Sequence, residues 1–150
     1  MSRIKYKNNV LFVENVSVKK LSLKHKSPFY LYSNNNIVEN YRIFYDNFKK
    51  VDPLICFSVK ANSNIQILKI LRNIGSGADV VSGGELLKVL KSGIKPSKIV
   101  FSGVGKNEDE IRLAIRKKIL LINVESENEA ILVDKISGLM GKKTSIGIRL

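Results

Sequence analysis

Residues 54–93 read LICFSVKANSNIQILKILRNIGSGADVVSGGELLKVLKSG. The stretch opens on a mostly apolar run, Leu54 to Val59, with the composition of a buried strand, and turns polar at Lys60, Ala61 and Asn62. Ser63 then precedes Gln66 by three, the spacing of a helix capping box. Apolar residues follow at helical spacing, Ile65, Leu68, Ile70, Leu71 and Ile74, and Gly75 stands where a C-terminal cap belongs. The pattern then repeats: strand Ala78 to Val81, box Ser82 with Glu85, stripe Leu86, Leu87, Val89 and Leu90, and Gly93. A strand that feeds a helix can reach the next strand only by a crossover, so the two strands are expected to be parallel.

The same step extends in both directions. Strands are expected at Phe29–Tyr32, Ile99–Phe101, Leu120–Val124 and Ser145–Leu150, with boxes at Asn107 with Glu110 and Ser126 with Glu129. Ile111, Ile115 and Ile119 form another stripe, and Gly141 another cap. Successive strand ends lie about 20–25 residues apart, the length of a β/α unit and not of a hairpin. The fold class is therefore α/β, either an open doubly wound sheet or part of a barrel. Residues 1–27 differ: Val10–Val13 and Val16–Val18 are strand-like, no helix of matching length follows, and the segment ends at an extended Ser27-Pro28 step.

Composition narrows the function classes. With 44% hydrophobic and 26% charged residues and 3 Pro, the 150-residue chain is globular, but it is shorter than the roughly 250 residues of a closed eight-fold barrel. One Cys and one His exclude a disulfide framework, a thiolate zinc site and a hydrolase triad, so no metal is expected. No run approaches the ~18 apolar residues of a membrane span, and the first residues lack a signal-peptide pattern, so a cytoplasmic setting is expected. The net charge of +13 invites nucleic acid as a partner. Its distribution argues against one: residues 1–26 carry seven cations against Glu14, the rest is spread thinly, and Lys outnumbers Arg 20 to 6.

Ligands of parallel α/β proteins gather at the carboxyl ends of the strands. Lys60 ends the most apolar strand, where partial desolvation would lower its pKa and suit it to Schiff-base chemistry with a carbonyl compound such as pyridoxal phosphate. A solvated strand terminator is the plainer reading. Asp79 is an acid inside an otherwise apolar strand, with Lys60, a cofactor or a neighbouring backbone turn as candidate partners. Ser82 and Glu85 are explained first as a capping box. Cys56, four residues before Lys60 and on the same strand face, reads as packing, and His25 as exposed. Gly103-Val104-Gly105-Lys106 is not a Walker A loop, because Val100 replaces the first glycine and Asn107 follows the lysine. Gly75-Ser76-Gly77 precedes a strand and so is not a dinucleotide fingerprint.

Several stretches taken in register resemble the diaminopimelate decarboxylase branch of the fold-type III pyridoxal phosphate enzymes. They are Ser27-Pro28-Phe29-Tyr30-Leu31-Tyr32, Phe57-Ser58-Val59-Lys60-Ala61-Asn62-Ser63-Asn64, Gly77-Ala78-Asp79-Val80-Val81-Ser82-Gly83-Gly84-Glu85-Leu86, Phe101-Ser102-Gly103-Val104-Gly105-Lys106 and Ile122-Asn123-Val124-Glu125-Ser126. The resemblance implies a partial (β/α)8 TIM barrel of about five to six β/α units over residues 28–150. It also implies that the β segment of residues 1–27 joins a separate C-terminal β domain. Lys60 then matches the lysine that binds pyridoxal phosphate covalently, and Asp79 the acid near it, with Ser82 and Glu85 close by. Arg149, in Ile148-Arg149-Leu150, looks like the arginine beside the cofactor. Ser58 departs from the alanine common there.

The implied reaction is decarboxylation of an amino acid, meso-diaminopimelate to L-lysine, by a homodimeric parent. The resemblance breaks off inside the arginine motif, before the family's stacking histidine, glycine-rich phosphate loop and β-domain residues. The chain is thus expected to be the N-terminal part of such an enzyme and inactive alone. A non-catalytic pyridoxal phosphate carrier, an inactive remnant and a basic nucleic-acid module are the alternatives.

Overall fold

The computed structural model describes residues 3–149, which divide between Phe48 and Lys49 into two compact units. In the first, β1 (Ile4–Lys7), β2 (Val10–Val13) and β3 (Val16–Ser17) form an antiparallel sheet in that order. Asn8 and Asn9 link β1 to β2 with φ of 48° and 61°, the left-handed pair of a type I′ turn, which asparagine tolerates well. Ser17 caps α1 (Val18–Ser22) through the Lys20 N–H, and α2 (Asn34–Phe48) completes the unit. The start of α2 is organised by Glu14, whose carboxylate accepts from Ser33 Oγ, from Asn35 N at 3.0 Å and from Asn35 Nδ2 at 2.9 Å. Those bonds, the one from Ser33 foremost, hold the Glu14 carboxyl below the usual range.

Two features of this unit depart from the sequence reading. β1 was not anticipated, because IKYK is fully exposed and shows no apolar alternation. Residues 29–32, expected to be a strand, are irregular, with Tyr30 and Tyr32 exposed. A strand is defined by its ladder, and among the described residues no neighbour supplies one here.

The second unit carries the β/α steps. β4 (Cys56–Ser58), β5 (Gly77–Val80), β6 (Ile99–Phe101), β7 (Leu121–Val124) and β8 (Ile146–Ile148) pair in parallel and in sequence order. α3 (Ile65–Asn73), α4 (Gly83–Ser92), α5 (Glu108–Lys117) and α6 (Glu127–Leu139) alternate with them. A doubly wound sheet reverses its strand order at a switch point, whereas this one never does, so it is an arc of a β/α barrel. Leu150, the end of the expected last strand, lies outside the described residues.

Alternation along the strands separates two faces. Ala78, Val80, Ile99, Phe101, Ile122 and Val124 are at most 4% exposed and pack on the helices, against Leu68, Leu86, Val89, Ile111, Ile115, Val133 and Ile136. Gly77, Asp79, Ser102, Asn123 and Gly147 take the other, concave face. Gly77 leaves no room for more: a Cβ would lie 2.5 Å from the Lys98 carbonyl oxygen and 2.7 Å from Cys56 Sγ. Since a backbone carbonyl cannot swing aside, Gly77→Ala is expected to lower stability by about 1–3 kcal/mol, read as a reduced urea midpoint at unchanged m.

The caps explain why each helix begins where it does. Asn107 and Glu110 form the complete reciprocal box, with Asn107 Oδ1 accepting from Glu110 N and Glu110 Oε2 from Asn107 N. Ser82 and Ser126 cap α4 and α6 in the expected way. The first box is displaced by one residue: Asn64, not Ser63, caps α3, accepting from Gln66 N at 2.9 Å. Ser63 Oγ accepts instead from Lys88 Nζ. Gly75, Gly93 and Gly141 stand at the helix ends with φ of 92°, 89° and 59°, as expected.

Candidate active site at the carboxyl ends of the strands

Lys60 sits one turn beyond β4, in a 3-10 segment, Val59–Ala61. Fully buried Val59 anchors that turn, and Asn62 N closes it by donating to the Val59 carbonyl at 3.0 Å. Asn62 Oδ1 then accepts from Asn64 N, so the polar stretch after the strand is a chain of asparagine turns leading into α3. Because the strand ends at Ser58, the expected shared face of Cys56 and Lys60 does not exist. Lys60 is exposed, and the strand does not desolvate it as anticipated. Cys56 is half-buried, and its thiol is pushed up by burial and by the Asp79 charge, which suits packing.

Asp79 pairs in register with Ser58. Its partner is neither Lys60 nor a backbone turn: Oδ1 accepts from Ser102 Oγ at 2.6 Å, and Ser102 Oγ accepts from Asn123 Nδ2 at 3.0 Å. Ser82 and Glu85 act at the start of α4. Ser82 Oγ accepts from Glu85 N, while Glu85 Oε2 accepts from Val81 N at 2.9 Å, one residue before the cap. Ser126 and Glu129 repeat this arrangement, with Glu129 Oε2 taking Glu125 N at 2.7 Å.

Arg149 stands just past β8, its N–H bonded to the Val124 carbonyl and its Nη1 3.3 Å from Glu125 Oε1. The same Glu125 oxygen accepts from Gly103 N at 2.8 Å. The Gly103 N–H, with the positive charges of Arg149 and Lys106, holds the Glu125 carboxyl below the usual range in spite of burial. Four groups here were not singled out from the sequence: Ser102, Asn123, Glu125 and Lys106. Lys106 was weighed only as part of a failed phosphate loop. Its side chain is 1% exposed and its Nζ donates to Gly103 O and Asn123 O, each at 2.7 Å, and to Glu129 Oε1 at 2.9 Å. The lysine thus straps the β6–α5 loop to the end of β7 and to α6, and the signal for it was a lysine soon after one strand with an acid in the helix that follows the next strand.

Lys60, Asp79 and Arg149 thereby lie at the carboxyl ends of three strands of one arc, an amine, a carboxylate and a guanidinium. Among the described residues no cluster of His, Cys, Asp and Glu could hold a metal, and no helix is long and apolar enough to cross a membrane.

Comparison with known proteins gives the chain a family. The family described as pyridoxal-dependent decarboxylase, pyridoxal binding domain, matches residues 34–150. Diaminopimelate decarboxylase of Aquifex aeolicus is 44% identical over 147 residues, which are 98% of this chain and 34% of that protein. The enzyme of the same name from Helicobacter pylori is 48% identical over 126 residues, covering 84% and 31%. The crystal structure of diaminopimelate decarboxylase from M. jannaschii with L-lysine superposes with a TM-score of 0.94 at 32% identity, over 97% of this chain and 35% of that one. The chain thus spans about a third of the length of the relatives it matches. Carried by a barrel arc whose strand ends present an amine, a carboxylate and a guanidinium, these matches show that the chain belongs to the pyridoxal-dependent decarboxylases, through their pyridoxal binding domain.

Proposed function

We propose that the chain is the N-terminal part of a decarboxylase that converts meso-diaminopimelate to L-lysine and carbon dioxide, with Lys60 as the cofactor-bearing lysine. The observation that carries this is the position of Lys60, at the carboxyl end of β4 and beside the strand that bears Asp79. The names of the relatives support the substrate. The donor set fits pyridoxal phosphate: an exposed primary amine can reach an aldehyde, and among the described residues no group bonds Asp79 Oδ2, which is left to accept an N–H. Arg149, paired with Glu125 through Nη1 but 66% exposed on its side chain, keeps further guanidinium N–H groups for an anionic ligand.

When bound, pyridoxal phosphate supplies an electron sink for the pair left as the carboxylate departs. Lys60 would hold the group through Nζ, and the same atom, when free, can carry a proton. Asp79 and Arg149 bind and orient, while Ser82 and Glu85 fix the turn after β5 that shapes the mouth of the site. In the same proposal residues 1–27 join a β domain, and the whole protein works in the cytoplasm as a homodimer.

Titration with pyridoxal phosphate checks this reading. Schiff-base absorbance saturating at one equivalent, and absent from Lys60→Ala, is expected. Equal non-saturating absorbance from both proteins would refute it.

A further inference from the structure

Ser102 lies at the end of β6, Asn123 in β7 and Gly147 in β8, and all three meet on the concave face with Asp79. The direction of their bonds follows from the chemistry of the groups. A carboxylate only accepts, so the hydroxyl proton of Ser102 is committed to Asp79 Oδ1. Ser102 Oγ must then receive its own donor, and Asn123 supplies it through Nδ2, which turns Asn123 Oδ1 toward β8. At that point the neighbouring strand has a glycine, paired in register with Asn123. A Cβ on Gly147 would collide with Asn123 Oδ1. The backbone of Asn123 is also tied, its carbonyl receiving Lys106 Nζ at 2.7 Å.

We infer that Asn123 and Ser102 are positioning residues which fix the Asp79 carboxylate by one oxygen and present the other to the ligand bound beside Lys60, and that Gly147 is glycine to seat the Asn123 amide. Their effect passes through Asp79, and only its consequence for the cofactor rests on the function proposed above.

The test compares the wild type with Ser102→Ala, Asn123→Leu and Ser102→Thr, using two readouts mapped by peptide mass spectrometry. The first is modification of Asp79 by a water-soluble carbodiimide with an amine, which needs no cofactor. The second is reduction by borohydride of the pyridoxal phosphate adduct at Lys60. Losing a hydrogen bond to a charged group should raise modification of Asp79 roughly tenfold and lower adduct formation at Lys60 by a similar factor in Ser102→Ala and Asn123→Leu. Ser102→Thr, which keeps the hydroxyl, should restore both, whereas a merely structural loss would not discriminate hydroxyl from methyl. Wild-type modification of Asp79 in Ser102→Ala would overturn the inference. A wild type with no adduct at Lys60 would instead remove the cofactor reading, and the carbodiimide result alone would then decide whether the relay exists.

Discussion

Replacing Lys106 by methionine is expected to destabilise the β/α unit by about 3–5 kcal/mol, the cost of breaking a buried pair and leaving one charge uncompensated. The ammonium has three partners within 2.9 Å, and Glu129, 10% exposed on its side chain, would lose its cation. Two carbonyls, Gly103 O and Asn123 O, would also lose their donor. Methionine matches the length of the stem, so a cavity does not explain the loss. Urea unfolding of Lys106→Met measures the effect, and Lys106→Met/Glu129→Gln should recover part of it, because neutralising the orphaned acid removes the penalty. Equal stability of wild type and Lys106→Met would show that the strap is dispensable.

The second large effect is expected at Phe101. Its side chain is fully buried at the centre of the core between strands and helices, and truncation to alanine should cost about 3–5 kcal/mol. Lys106 Nζ lies over the same ring, 5.7 Å from its centroid. Phe101→Ala and Lys106→Met share this contact, so their combined cost should fall short of the sum, which a double-mutant cycle in urea measures. Strict additivity would mean that the ring and the ammonium are energetically independent.

The same residues show what the sequence can and cannot reveal. The parallel arc was legible because local signals agreed: apolar strand runs, small polar caps before Glu, and glycines at helix ends recur with one period. Only the strand order, a property of the whole sheet, could separate a barrel arc from a doubly wound sheet. Residues 29–32 were misread because strand composition does not create a pairing partner. β1 was missed because an exposed edge strand carries no alternation, although Asn8-Asn9 before Val10 was a usable hairpin signal. At the site, Lys60 and Asp79 stood out by chemical type and position, and Arg149 only through the family resemblance. Ser102, Asn123 and Glu125 did not, since their roles lie in contacts across strands about 20 residues apart in sequence. Lys106 illustrates the converse: a Gly-x-Gly-Lys stretch suggested phosphate, while the fold turns the cation inward onto carbonyls and a carboxylate.

Borohydride reduction of the chain with one equivalent of pyridoxal phosphate, followed by peptide mass mapping, tests the central claim most directly. The chain has 20 lysines, many of them exposed and able to react with an aldehyde. If the strand ends form the cofactor site, the modification concentrates on Lys60. Labelling spread over the exposed lysines, or concentrated on another one, would contradict the assignment of Lys60.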